Sequence, residues 1–147
     1  MSPWLQHLPV LPILVPLVAA AVMLLLRERR RRARVTVALA SAVVQFGVAV
    51  SLLVLTTGVA PGVWTDGIGV YRIGSWPAPF GIVLVADPLS ALMLTLSATV
   101  ALASIVYAVA HWDNPGKPFH SLLQLLCMGV NGAFLTGDVF NLFVFFE

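Results

Sequence analysis

The apolar stretch PVLPILVPLVAAAVMLLL, residues 9–26, is followed at once by the basic run RERRRRAR, from Arg27 to Arg34. As a helix, the apolar stretch would extend about 27 Å, which is roughly the hydrocarbon thickness of a bilayer. Six of the chain's eight Lys and Arg residues lie in the basic run, and such a cluster beside a spanning helix marks the cytoplasmic side. Because these charges follow the apolar segment, a retained helix is favoured over a cleaved signal peptide. The stretch therefore predicts a transmembrane helix with the N-terminus outside.

The composition of the whole chain agrees with a membrane protein. Hydrophobic residues make up 60% of the 147 residues and charged residues only 10%, with a mean hydropathy of +0.99. A soluble domain is about a quarter charged. The basic pI comes from the single run at residues 27–34, so we interpret that run as a topological signal and not as a nucleic-acid-binding surface. The one cysteine, Cys127, allows neither an intrachain disulfide nor a Cys-based metal site.

Further apolar segments predict more spans, at residues 35–59, 88–110, 119–136 and 139–147, the last being cut short. The Gly- and Pro-rich residues 60–87 are predicted to form an outward loop, in which segments 68–73 and 82–85 have the pattern of a short hairpin lying on the bundle. Asp87 and Pro88 have the pattern of an N-cap and a first-turn proline. The predicted fold class is an all-α membrane protein, a multi-pass helix bundle with four full spans and the first half of a fifth.

Glu147 is the strongest chemical signal. If Asp138 caps the fifth helix, Glu147 lies about 13 Å along the axis, close to the bilayer midplane. The residues on its helix face, Phe140, Phe143 and Val144, offer no solvation to a carboxylate. A carboxylate at that depth costs about 2.5 kcal/mol or more, so its default interpretation is a proton or ion site. The alternatives are a packing hydrogen bond or a shallow interfacial glutamate. Because the sequence stops within this helix, we expect it to be the N-terminal fragment of a longer protein.

Other polar residues are weaker candidates. Asp138 is interpreted first as an N-cap at the outer surface, with a role in ion entry as the alternative. Asn131 and Asn141 are expected to form interhelical hydrogen bonds, with a water path as the alternative. His111 and His120 flank the inward link HWDNPGKPFH and are expected to be exposed, although either would suit proton collection at the cytoplasmic mouth. No cofactor site or metal site is predicted.

Two segments resemble a known family. TGDVFNLFVFFE, residues 136–147, closely resembles the fifth-helix motif of the D subunit of Mrp-type multisubunit Na⁺/H⁺ antiporters. WPAPFGIVLVADPLSALML, residues 76–94, is similar to the start of that family's third helix, whereas the first 70 residues agree only in hydropathy. Antiporter-like subunits of respiratory complex I and of membrane-bound hydrogenases share the glutamate-bearing helix. The resemblance implies two inverted five-helix repeats after three leading helices, and a Glu147 that pairs with a lysine on a broken seventh helix.

The resemblance implies a proton-translocating subunit of a monovalent cation (Na⁺)/H⁺ antiporter, an ion transporter and not an enzyme. Its expected setting is a bacterial plasma membrane, in a complex with other membrane subunits. One alternative is a proton-pumping subunit of a redox-driven complex of the NADH dehydrogenase or hydrogenase type, although no residue here binds a redox cofactor. Another is a non-transporting scaffold in which Glu147 is merely hydrogen-bonded. Ending before the partner lysine, the fragment alone is not expected to transport ions.

Overall fold

The computed structural model describes residues 7–26, 30–58, 64, 67–75, 81–111 and 118–147. These residues form five α-helices and one antiparallel hairpin of two strands. In chain order the elements are α1 (Leu11–Leu25, preceded by a 3₁₀ turn at Leu8–Val10), α2 (Arg31–Thr56), β1 (Gly69–Arg72), β2 (Val83–Ala86), α3 (Pro88–His111), α4 (Phe119–Leu135) and α5 (Val139–Phe146).

Each predicted span coincides with a helix, and the all-α membrane bundle is confirmed. Three helical segments, Leu8–Leu25, Arg31–Thr56 and Pro88–His111, are long and apolar enough to cross a bilayer, and the 17-residue α4 is a shorter apolar helix. Helix α2 begins four residues before the apolar segment, because arginine is itself a good helix former. The predictions for the start of the basic run at 27–29, for much of the outward loop and for residues 112–117 of the inward link lie outside the described residues.

Small residues let the helices approach one another closely. Helix α1 packs against α4 and α2, α2 packs against α3, and α4 contacts both α3 and α5. Alanines occupy many of the buried contact positions of α1, α2 and α3: Ala19, Ala20, Ala38, Ala42, Ala49, Ala91, Ala98 and Ala101. Since lipid tails are as apolar as leucine, close van der Waals packing of this kind is what holds transmembrane helices together.

The predicted hairpin is confirmed and lies on one end of the bundle. Strands β1 and β2 are antiparallel, with Val70 opposite Val85. Leu84 and Ala86 of β2 are fully buried in a core cluster that also contains Leu94 of α3. The predicted cap is also present, because Asp87 accepts a 2.8 Å hydrogen bond from the Ser90 backbone N–H. Hydrogen bonding by the Ser90 side chain and backbone lowers the pKa of Asp87 below its ordinary value.

Candidate functional site

The corner between α4 and α5 is held by the hairpin. Thr136 pairs with Leu84 in an isolated β-bridge, and the Gly137 N–H donates to the Val83 carbonyl at 2.9 Å. Asp138 then caps α5, its carboxylate accepting a 3.1 Å hydrogen bond from the Phe140 N–H. The predicted N-cap is therefore confirmed, and the start of α5 is fixed by contacts on both sides of the corner.

Two glycines of α4 decide which face of α5 turns inward. A Cβ atom at Gly132 would overlap the ring of Phe145, and one at Gly129 would lie 3.0 Å from the Phe145 carbonyl oxygen. The absence of side chains here lets Phe145 lie directly on the α4 backbone. Asn141, one turn before Phe145, is on the same inward side and is buried.

Glu147 lies on the opposite side of α5. Its backbone N–H donates to the Phe143 carbonyl at 3.1 Å, so helical hydrogen bonding extends to this residue. Its side chain is exposed beside Phe140, Phe143 and Val144, which are 77%, 69% and 57% exposed. The carboxyl group therefore belongs to an apolar face of α5 that the described residues leave uncovered.

Asn131 of α4 forms hydrogen bonds with residues of both α1 and α3. Pro16 in α1 has no N–H, so the Pro12 carbonyl four residues earlier lacks its usual helical partner. The Asn131 Nδ2 of α4 donates to that carbonyl at 2.9 Å, and Ser97 Oγ of α3 donates to Asn131 Oδ1 at 3.3 Å. The interhelical hydrogen bonds predicted for Asn131 are therefore present, and one of them replaces a bond that Pro16 removes.

We expect Asn131→Leu to destabilise the full-length protein by about 1–2 kcal/mol, because it leaves the Pro12 carbonyl unpaired in an apolar interior. In a Pro16→Ala background the helix regains an N–H donor for that carbonyl, so the same substitution should cost less. Thermal unfolding of the four proteins in the double-mutant cycle measures the difference. Equal costs in both backgrounds would contradict this role for Asn131.

A second polar cluster lies between α4 and α2. Gln124 Oε1 accepts hydrogen bonds from Ser41 Oγ at 3.2 Å and from Gln45 Nε2 at 3.3 Å. Its Nε2 donates to the Ala38 carbonyl at 3.3 Å. All three side chains are at most 6% exposed. With donors and acceptors matched, this cluster fixes the register of α4 against α2 without leaving a buried polar group of Gln124 unpaired.

The two histidines are placed differently. His111 ends α3, is exposed as predicted and stacks on Tyr107 with ring centroids 4.9 Å apart. The expectation that His120 is exposed is wrong, because it lies in the first turn of α4 with only 5% of its surface accessible. It shares the inward face of α4 with Gln124, four residues on, and this helical periodicity turns it into the bundle.

Asn141 has a buried side chain whose Nδ2 makes no hydrogen bond to any described residue. The interhelical hydrogen bond predicted for it is therefore not seen among the described residues. Nor does any group of three or more His, Cys, Asp or Glu side chains in the described ranges have the arrangement of a metal site.

Sequence reasoning missed Gln124 as an organising residue, although a signal was available. The buried face of α4 includes His120, Gln124, Cys127 and Asn131, spaced by four, three and four residues. This is the spacing of one helical stripe, and polar groups in such a stripe within a membrane span are expected to face protein. The partners of Gln124 are less predictable, since one of them is a backbone carbonyl.

The sequence is similar to curated antiporter subunits. It is 53% identical over 150 residues to a probable K⁺/H⁺ antiporter D subunit of Rhizobium meliloti, covering 100% of this chain and 27% of that protein. It is 37% identical over 145 residues to the Na⁺/H⁺ antiporter D subunit of Alkalihalophilus pseudofirmus, covering 97% of this chain and 28% of that protein. The chain thus spans about a quarter of the length of these relatives. No protein-family model matches the sequence.

The fold is similar to that of a solved membrane complex. One chain of the Mrp complex from Dietzia sp. superimposes with a TM-score of 0.84 at 32% identity, over 99% of this chain and 25% of that chain. Sequence likeness across the chain and this structural match agree with each other and with the glutamate-bearing motif at residues 136–147. The chain belongs to the family of antiporter-like membrane subunits that includes the D subunit of the Mrp-type multisubunit Na⁺/H⁺ antiporters.

Proposed function

We propose that the full-length protein is the proton-translocating subunit of a multisubunit monovalent cation/H⁺ antiporter, and that Glu147 is a carboxyl group that takes up and releases the proton. The observation that carries this proposal is the position of Glu147 on α5. The helix starts at a fixed cap, Asp138, so Glu147, nine residues on, is about 13 Å along the axis from the capped end.

The surroundings of Glu147 suit proton transfer. Phe140, Phe143 and Val144 share its exposed apolar face of α5, and a carboxyl group on such a face of a membrane helix is by default a proton or ion site. An approaching cation or a file of water would favour ionisation, and its withdrawal would favour protonation. In the full-length protein we propose the family's lysine on a later helix as that counter-charge. A change in the distance between this lysine and the Glu147 carboxyl group would then make the carboxyl group take up or release its proton.

The proposal also covers the membrane in which the protein lies, its partner subunits and the transported ion. The full-length protein lies in a bacterial plasma membrane with other membrane subunits, and residues 27–34 face the cytoplasm. The relatives are named for K⁺ and for Na⁺, so the cargo is proposed at the level of a monovalent cation exchanged for protons.

Cation-driven proton movement in everted vesicles containing the full-length complex tests the proposal. After respiration has acidified the vesicle interior, addition of NaCl or KCl should release protons, reported by a pH-sensitive dye. Vesicles from cells lacking this subunit should give no response. Proton movement that needs an added electron donor and ignores the cation would overturn the proposal in favour of a redox-driven pump. An unchanged cation response without the subunit would show that antiport does not need this subunit and would also overturn the proposal.

A further inference from the structure

An apolar groove of about 490 Å³ runs between α1 and α2. Its walls include Val18 and Val22 of α1 and Val37, Ala40 and Val44 of α2. Val18 and Val44 are 58% and 49% exposed, so the groove opens away from the bundle. On α2 the groove extends from residue 37 to residue 44, about 10 Å along the axis. A groove of this size can hold part of an extended hydrocarbon chain between the two helices.

Arginines continue the α2 wall of the groove. Arg34, Val37, Ser41 and Val44 are spaced by three, four and three residues, so they form one stripe along α2. Arg30, the N-cap residue four positions before Arg34, leads into the same stripe and is exposed. The apolar groove therefore ends in guanidinium groups on the side where α1 and α2 are connected.

We propose that this groove binds an anionic phospholipid, with one acyl chain between α1 and α2 and the headgroup phosphate at Arg30 and Arg34. Charge complementarity carries the choice of ligand, because residues 27–34 contain six arginines and one acidic residue, Glu28. Basic clusters at the end of a transmembrane helix attract anionic lipid, and guanidinium matches phosphate geometry. The proposal is independent of antiport activity.

A second groove in the bundle lacks this combination. It lies between α3 and α4, has a volume of about 300 Å³ and is lined by apolar residues with Ser97 and Ser104. Neither Pro88–His111 nor Phe119–Leu135 contains a Lys or Arg residue. Among the described residues, the α1–α2 groove therefore differs from its neighbour in having arginines at one end that would select a headgroup.

Native mass spectrometry of the full-length complex, delipidated and then titrated with phosphatidylglycerol or phosphatidylcholine of identical chains, tests the headgroup contact. The wild type should retain phosphatidylglycerol preferentially, and Arg34→Gln should lower that preference about fivefold. Arg32→Gln is the matched control. It removes the same charge from the other side of α2 and should leave most of the preference intact. Equal losses in the two variants would overturn the site and leave a general charge effect.

The groove itself is tested by filling it. Ala40→Phe should reduce retention of both lipids, whereas Val43→Phe, an equally lipid-facing position outside the groove walls, should not. Water-soluble glycerophosphate should fail to displace bound phosphatidylglycerol, because the acyl chain contributes to binding. Displacement by glycerophosphate would contradict the acyl-chain contact. Loss of a protein subunit from Ala40→Phe, with lipid retention unchanged, would show that a partner helix occupies the groove instead.

Discussion

Replacement of Glu147 by Gln in the full-length protein is expected to abolish cation-driven proton movement while the complex still assembles. The amide has nearly the same size as the carboxyl group and fits the same face beside Phe140 and Phe143. It cannot bind and release a proton at physiological pH, so the proposed transfer step is lost. Vesicle antiport is the readout, with subunit content measured in the same vesicles.

Asp138→Asn is the matched control for that experiment. Asparagine caps a helix as well as aspartate does, so the hydrogen bond from the Phe140 N–H should survive and α5 should start at the same residue. This variant removes a carboxylate from the other end of α5, and we expect it to retain most of the antiport activity. Normal antiport in Glu147→Gln would favour a scaffold in which the carboxyl group is only a hydrogen-bonding group.

Gly132→Val is expected to have the largest effect on the fold around the site. Its side chain would overlap the Phe145 ring, so α5 must move away from α4. Overpacking of this kind costs about 1–3 kcal/mol and here also displaces the helix that carries Glu147. We therefore expect a lower unfolding temperature and a loss of antiport, measured on the purified complex and in vesicles.

The α2 helix supplies the control for this substitution. A Cβ at Gly47 would meet nothing within 4 Å, so Gly47→Val adds the same side chain without a clash. We expect it to leave both the unfolding temperature and antiport close to those of the wild type. Equal losses of unfolding temperature and antiport in the two variants would show that the close contact between α4 and α5 is not the cause.

Much of this fold could be predicted because membrane helices leave strong local signals. The lengths of the apolar segments predicted the helices, and the N-caps Asp87 and Asp138 predicted where two of them start. The alternation of apolar and polar residues in 68–73 predicted β1. Each of these signals is contained within a few neighbouring residues. Proline also gave a partial signal, since Pro16 removes the helical donor of the Pro12 carbonyl even though the sequence does not say which residue replaces it.

The features of the site that the sequence did not predict depend on how the helices are rotated relative to each other. His120 was expected to be exposed beside the inward link, yet the first turn of α4 directs it inward together with Gln124. Gln124 forms hydrogen bonds with Ser41, Gln45 and the Ala38 carbonyl, which are about eighty residues away in sequence. Local pattern does not encode such pairings, because they arise only when two helices have settled into one register.

Reaction of Glu147 with carbodiimides tests the central claim most directly. An apolar carbodiimide reaches carboxyl groups in the hydrocarbon region and reacts with the protonated form, whereas a charged, water-soluble one modifies carboxyl groups at the surface. In the full-length complex in membranes, mass spectrometry should find Glu147 modified by the apolar reagent and protected from the soluble one, with Asp87 as the surface comparison. Modification of Glu147 by the soluble reagent to the same extent as Asp87 would contradict a carboxyl group held deep in the membrane.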